Sequence, residues 1–131
     1  MGKNMCEANK PALTVAVETN FLAQQSKPEQ GQYLFSYRMT ITNHGDEDVR
    51  LLQRHWWITD GLNRTQEVRG RGVVGEQPLI SAGSAYEYTS GVLLDTPVGS
   101  MKGHYQMQLS SGERVEVLIP EFVLSVPGAL H

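Results

Sequence analysis

The chain has 131 residues, 40% of them hydrophobic, which is enough for one domain with a full core and too few for two ordinary ones. Eleven Lys and Arg against fourteen Asp and Glu give a formal charge of −3, which argues against a general nucleic-acid or anionic-membrane binder. The single cysteine, Cys6, cannot close an intrachain disulfide, and the first thirty residues hold no apolar run of signal-peptide or membrane-span length, so a reducing cytoplasm is expected.

Residues 1–11 are polar, lack periodicity and end in Pro11, and are read as a flexible N-terminal leader ahead of a single domain over residues 12–131. From residue 12 the chain alternates, with Leu13, Val15 and Val17 on one face, which predicts a half-buried strand over 12–19. Residues 24–32 are polar, contain Pro28 and Gly31, and form a loop. The clearest alternation follows: Tyr33, Phe35, Tyr37, Met39 and Ile41 against Ser36, Arg38, Thr40 and Thr42. A turn at 43–46 leads into a strand over 49–59 with Leu52, Trp56 and Ile58 in one phase, so Trp57 faces outward. A short polar strand over 64–69 precedes a glycine-rich loop, and 78–84 is irregular. A strand over 85–89 carries Tyr86 and Tyr88 in phase, and 93–99 reads as a loop. Residues 101–109 alternate through Met101, Gly103, Tyr105, Met107 and Leu109, a hairpin turn sits at 110–113, and 114–119 returns with Val115, Val117 and Ile119 inward. Pro120 should break that strand, leaving Phe122, Leu124 and Val126 to complete a last one. Seven to eight short antiparallel strands, with no sustained 3.6-residue period, predict an all-β sandwich, and a closed barrel is the main competitor. Trp56 is placed as its core tryptophan.

Gly70, Gly72 and Gly75 fall at the spacing G-x-G-x-x-G, which in dinucleotide-binding domains cradles a pyrophosphate between a strand and a helix N-terminus. Here Pro78 and the Ser-Gly-rich residues 81–84 leave no room for that helix. Two readings survive. The glycines either permit tight turns or a bulge beside a sheet edge, or they turn successive N–H groups toward one anion that Arg69 and Arg71 help to hold. Five of the seven arginines, Arg50, Arg54, Arg64, Arg69 and Arg71, lie within 22 residues, beside the acidic turn Asp46, Glu47 and Asp48. That mixed-sign cluster reads most simply as a solvated surface, and the acidic turn is the place for a divalent cation if one binds. His44, His55, His104 and His131 show no metal-ligand spacing, and no nucleophile motif or placeable carboxylate pair occurs, so neither metal nor cofactor is expected and the chain is expected not to be an enzyme.

Residues 51–56, 68–78, 88–91, 96–105 and 119–122, in that order, resemble the bacterial ApaG family over roughly residues 12–131. The resemblance implies an immunoglobulin-like, fibronectin type III-like β-sandwich. It also implies a link with cobalt resistance and magnesium efflux, and a protein-interaction role like that of the ApaG-like domains attached to eukaryotic F-box proteins and a polymerase-delta-interacting protein. The expected function is therefore a non-enzymatic binding module, monomeric or weakly dimeric, with Trp57 against a protein partner; the alternative is a phosphate, pyrophosphate or nucleotide binder using Arg69, Gly70, Arg71, Gly72 and Gly75.

Overall fold

A computed structural model describes residues 12–129; the leader predicted over 1–11 lies outside the described residues. Among the described residues eight strands occur: β1 (Leu13–Phe21), β2 (Tyr33–Asn43), β3 (Val49–Asp60), β4 (Thr65–Arg71), β5 (Leu79–Ile80), β6 (Ala85–Leu94), β7 (Val98–Leu109) and β8 (Arg114–Ser125). One sheet has the order β1-β2-β6 and the other β4-β3-β7-β8, with β5 pairing the start of β3. All the pairings are antiparallel. The expected sandwich is the observed one.

Period-two alternation explains which faces meet. Phe35, Tyr37, Met39 and Ile41 of β2 are buried, and so are Met101, Tyr105, Met107 and Leu109 of β7, so two apolar stripes close on each other between the sheets. Trp56 is 2% exposed and packs edge-on against Tyr37, Tyr105 and Phe122, with centroids 5.6, 6.5 and 5.9 Å away. The Tyr88 and Tyr105 hydroxyls, 2.6 Å apart, join β6 of one sheet to β7 of the other. Burial pushes both phenols well above their ordinary pKa, so they stay protonated hydrogen-bonding groups at any physiological pH. Asn43, buried at the end of β2, donates from Nδ2 to the carbonyls of Glu47 (2.8 Å) and Ile80 (3.0 Å) and accepts from the Gly45 N–H (2.9 Å), which satisfies the turn into β3.

Four expectations need correction. Leu51, not Leu52, is the buried leucine of β3, because the β3–β7 register shifts between Leu51 and Gln53. That bulge inserts one residue and returns Trp56 to the inward phase. Pro120 does not end a strand. Met101 faces Phe122 while Gly103 faces Ile119, so Pro120 and Glu121 together stand opposite Lys102 in a second bulge within a continuous β8. Proline is tolerated there because β8 is an edge strand and the bulge needs no ladder bond from it. Residues 93–99 are not one loop, since β6 runs to Leu94 and β7 begins at Val98. The irregular stretch 78–84 contains the two-residue strand β5.

Candidate interaction face

With Trp56 inward, His55 and Trp57 project from the outer face of the larger sheet. On β7 the buried residues Gly103 and Tyr105 likewise leave His104 on that face. The β3–β7 register sets His55 directly opposite His104 and Trp57 opposite Lys102. The Trp57 indole stacks on His55 at 3.9 Å and 26°, and His104 meets His55 edge-on at 5.0 Å and Trp57 at 5.7 Å. β8 completes the surface with Leu118 opposite His104, 71% exposed, and with Glu116. Trp57, His104, Glu116, Leu118, Pro120 and Glu121 line an open groove of about 600 Å³.

Carboxylates from the flanking strands lie beside the two imidazoles, and one of them is hydrogen-bonded. Glu67 on β4 accepts at Oε2 from His55 Nε2 (2.5 Å) and from Arg69 Nη2 (3.0 Å). The His55 bond, followed by that from Arg69, holds the Glu67 carboxyl below its ordinary range. A depressed carboxyl contributes stability that is present above its unfolded pKa and lost as pH falls through the folded one. Carboxyl carbon NMR titration is therefore expected to find Glu67 titrating below the ordinary glutamate range, and His55→Phe should move it back up; an unmoved Glu67 would show that the His55 contact does not persist in solution. His104 Nε2 lies 3.8 Å from Glu116 Oε1. Sequence spacing separates the histidines by 49 positions, yet the sheet makes them neighbours. Among the described residues no group of three His, Cys, Asp or Glu side chains is arranged to hold a metal ion. The face presents a stacked indole and imidazole, an exposed leucine, and carboxylates beside both imidazoles.

The glycine loop lies elsewhere, between β4 and β5, and each glycine has its own reason for being there. Gly70 pairs with Arg54, whose guanidinium crosses it so closely that a Cβ would lie 2.5 Å from the Arg54 Cζ. From there Arg54 Nη1 donates to the carbonyls of Arg71 (3.2 Å) and Gly72 (2.8 Å). Gly72 has φ +65, and a Cβ on it would meet the Glu76 carbonyl oxygen at 2.1 Å. Val74 (φ 43) and Gly75 (φ 81) form the corners of a tight hairpin turn closed by reciprocal Val73–Glu76 bonds of 2.8 and 2.9 Å. The Gly72 N–H donates to Leu52, so the N–H groups of Gly72, Val73 and Glu76 are already used, while those of Val74 and Gly75 bond to nothing among the described residues. Arg69 turns to Glu67, and Arg71 Nη2 to Gln77 Oε1 at 3.3 Å. The glycines are thus apart from Trp57, while Arg69, opposite His55 and bonded to it and to Glu67, belongs to the Trp57 face.

The family model described as DUF525, the ApaG domain, matches residues 23–109. The chain belongs to the ApaG family. A protein named ApaG from Pseudomonas paraeruginosa is 56% identical over 119 residues, covering 91% of this chain and 94% of that one. Another from Nitrosospira multiformis is 50% identical over 127 residues, covering 97% of this chain and 100% of its own length. A solved structure from Bordetella pertussis superposes with a TM-score of 0.88 at 48% identity over 91% of this chain and 97% of that chain. The segment matched to the ApaG domain contains His55, Trp57, His104 and the glycine loop, while Leu118 and Pro120 fall beyond it.

Proposed function

We propose that this ApaG-family chain is a non-enzymatic binding module that receives a protein partner on the outer face of its larger sheet. The supporting observation is Trp57, an indole turned away from the core and pre-ordered by its stack on His55. Large aromatic side chains with few rotamers to lose dominate binding energy when a partner covers them, and the neighbouring Leu118 and Pro120 extend the apolar contact. In this reading the module works in the cytoplasm, and the cobalt-resistance and magnesium-efflux link implied by the family resemblance runs through the partner and not through an ion moved by this chain. No helix among the described residues is long and apolar enough to cross a membrane.

Affinity capture from bacterial lysate, quantified by mass spectrometry, tests it. Trp57→Ala is expected to weaken capture of the partner by about thirty-fold or more, as for an interface hot spot, while the fold survives; an unchanged set of captured proteins would end the proposal. The second reading, an anion at Arg69, Gly70, Arg71, Gly72 and Gly75, draws on the exposed Arg69 and the unbonded N–H groups of Val74 and Gly75. It predicts salt-sensitive pyrophosphate binding lost in Arg71→Ala, a variant that leaves partner capture intact under the first reading, and also in Arg69→Ala, which in addition removes a partner of Glu67 and His55 beside Trp57.

A further inference from the structure

Sheet edges are templates for another strand, and proteins normally blunt them. Among the described residues, two of the four sheet edges are blunted by their own residues and a third runs beside the other sheet. β8 carries Pro120 and a bulge, β4 is short with Glu67, Arg69 and Arg71 among its seven residues, and β1 lies against β8. β6 differs: ten residues with no proline, lysine or arginine, paired to β2 without a register shift. The Asn43 N–H donates to the Ser84 carbonyl, which sets the ladder phase. Every second pair from there bonds across, so Tyr86, Tyr88, Ser90, Val92 and Leu94 direct their backbone groups to β2. Ala85, Glu87, Thr89, Gly91 and Leu93 therefore direct theirs to the open side, all five are exposed, and none of those groups is bonded to another among the described residues. An open cleft lies beside the Leu93 end.

We propose that this edge is a dimerisation edge that pairs antiparallel with β6 of a second copy, making one continuous sheet from two three-stranded ones. The sequence of the strand selects both the occupant and the register. Only outward-bonding residues can exchange hydrogen bonds, and a two-fold axis at Thr89 pairs all five of them: Thr89 with Thr89, Glu87 with Gly91 and Ala85 with Leu93 of the second copy. The one charged residue of the strand then faces a glycine, and the exposed Leu93 is covered. On the other face Tyr88 meets Ser90 and Tyr86 meets Val92, large against small. Shifting the axis to Glu87 would set carboxylate against carboxylate and lose pairs.

This edge is separate from the Trp57 face, so the two proposals stand or fall independently. Sedimentation velocity on the full chain, from low micromolar to millimolar, is expected to show the average mass rising from monomer toward dimer. A Cβ at Gly91 would sit 3.5 Å from the Phe35 carbonyl oxygen, an ordinary contact, so the protomer accepts a side chain there. Gly91→Glu places a carboxylate opposite Glu87 twice per dimer and should weaken association about tenfold. Glu87→Lys added to Gly91→Glu should restore it, while Glu87→Lys alone should leave it near the wild-type value. A wild type that is monomeric at millimolar concentration overturns the proposal. So does a dimer that ignores Gly91→Glu or is not rescued by the charge pair, or a monomer whose edge takes a different protein's strand.

Discussion

Trp56→Ala is expected to lower the unfolding free energy by about 3–5 kcal/mol, whereas the neighbouring Trp57→Ala costs about 1 kcal/mol. Trp56 fills the centre of the sandwich between Tyr37, Tyr105 and Phe122, and its indole N–H has no hydrogen-bond partner among the described residues, so what is removed is packing alone. Trp57 loses its ring contacts with His55 and His104 and the partly covered surface around them. The difference amounts to a melting-temperature drop on the order of 10–20 °C for the first variant and a few degrees for the second. Thermal denaturation of the two proteins measures it. Equal effects would mean that the bulge between Leu51 and Gln53 does not set the phase described here, and the outer face would lose its tryptophan.

Gly103→Ala is the second large effect. Gly103 lies opposite Trp56, and a Cβ there would come 2.0 Å from the His55 carbonyl oxygen and 3.2 Å from the Trp56 Cα. Both obstacles are backbone. β3 and β7 are interior strands of their sheet, each held on two sides, so neither can move aside without breaking its other pairing. The expected loss is about 3 kcal/mol or more, beyond the usual range for a surface methyl. Chemical denaturation with unchanged slope reads it directly, and a loss below about 1 kcal/mol would show that the two strands are not this close.

Much of this architecture was legible in the residues because it follows from short-range alternation. The stripes of β2 and β7, the hairpin at 110–113 and the inward Trp56 need only a period of two. What escaped was set by partners distant in sequence. Nothing local announces the extra residue between Leu51 and Gln53, since a bulge is fixed by what β7 requires of β3, and so Leu52 took the place of Leu51. Pro120 looked like a terminator because a bulge on an edge strand cannot be distinguished from a break by composition. Gly91 interrupts the alternation of β6, which hid the continuation to Leu94.

The candidate site divides in the same way. Trp57 was readable as outward from its phase against Trp56. Its surroundings were not, because His104, Glu67 and Leu118 reach it only through the registers of three separate strand pairs. The outward phases of His55 and His104 were the available signal, and only the register turns them into a pair. The glycine spacing raised the opposite problem: a motif defined by intervals matched, while Gly70 yields to an arginine side chain, Gly72 to a carbonyl and Gly75 to a turn.

The most direct test of the interaction face is photocrosslinking in living cells, with a photoreactive residue at Leu118 beside the Trp57 groove and, as reference, at Leu62, 68% exposed on the turn after β3. A discrete adduct is expected from Leu118 that disappears when Trp57→Ala is added, and none from Leu62. No adduct at Leu118, or the same adducts from both positions, would contradict it.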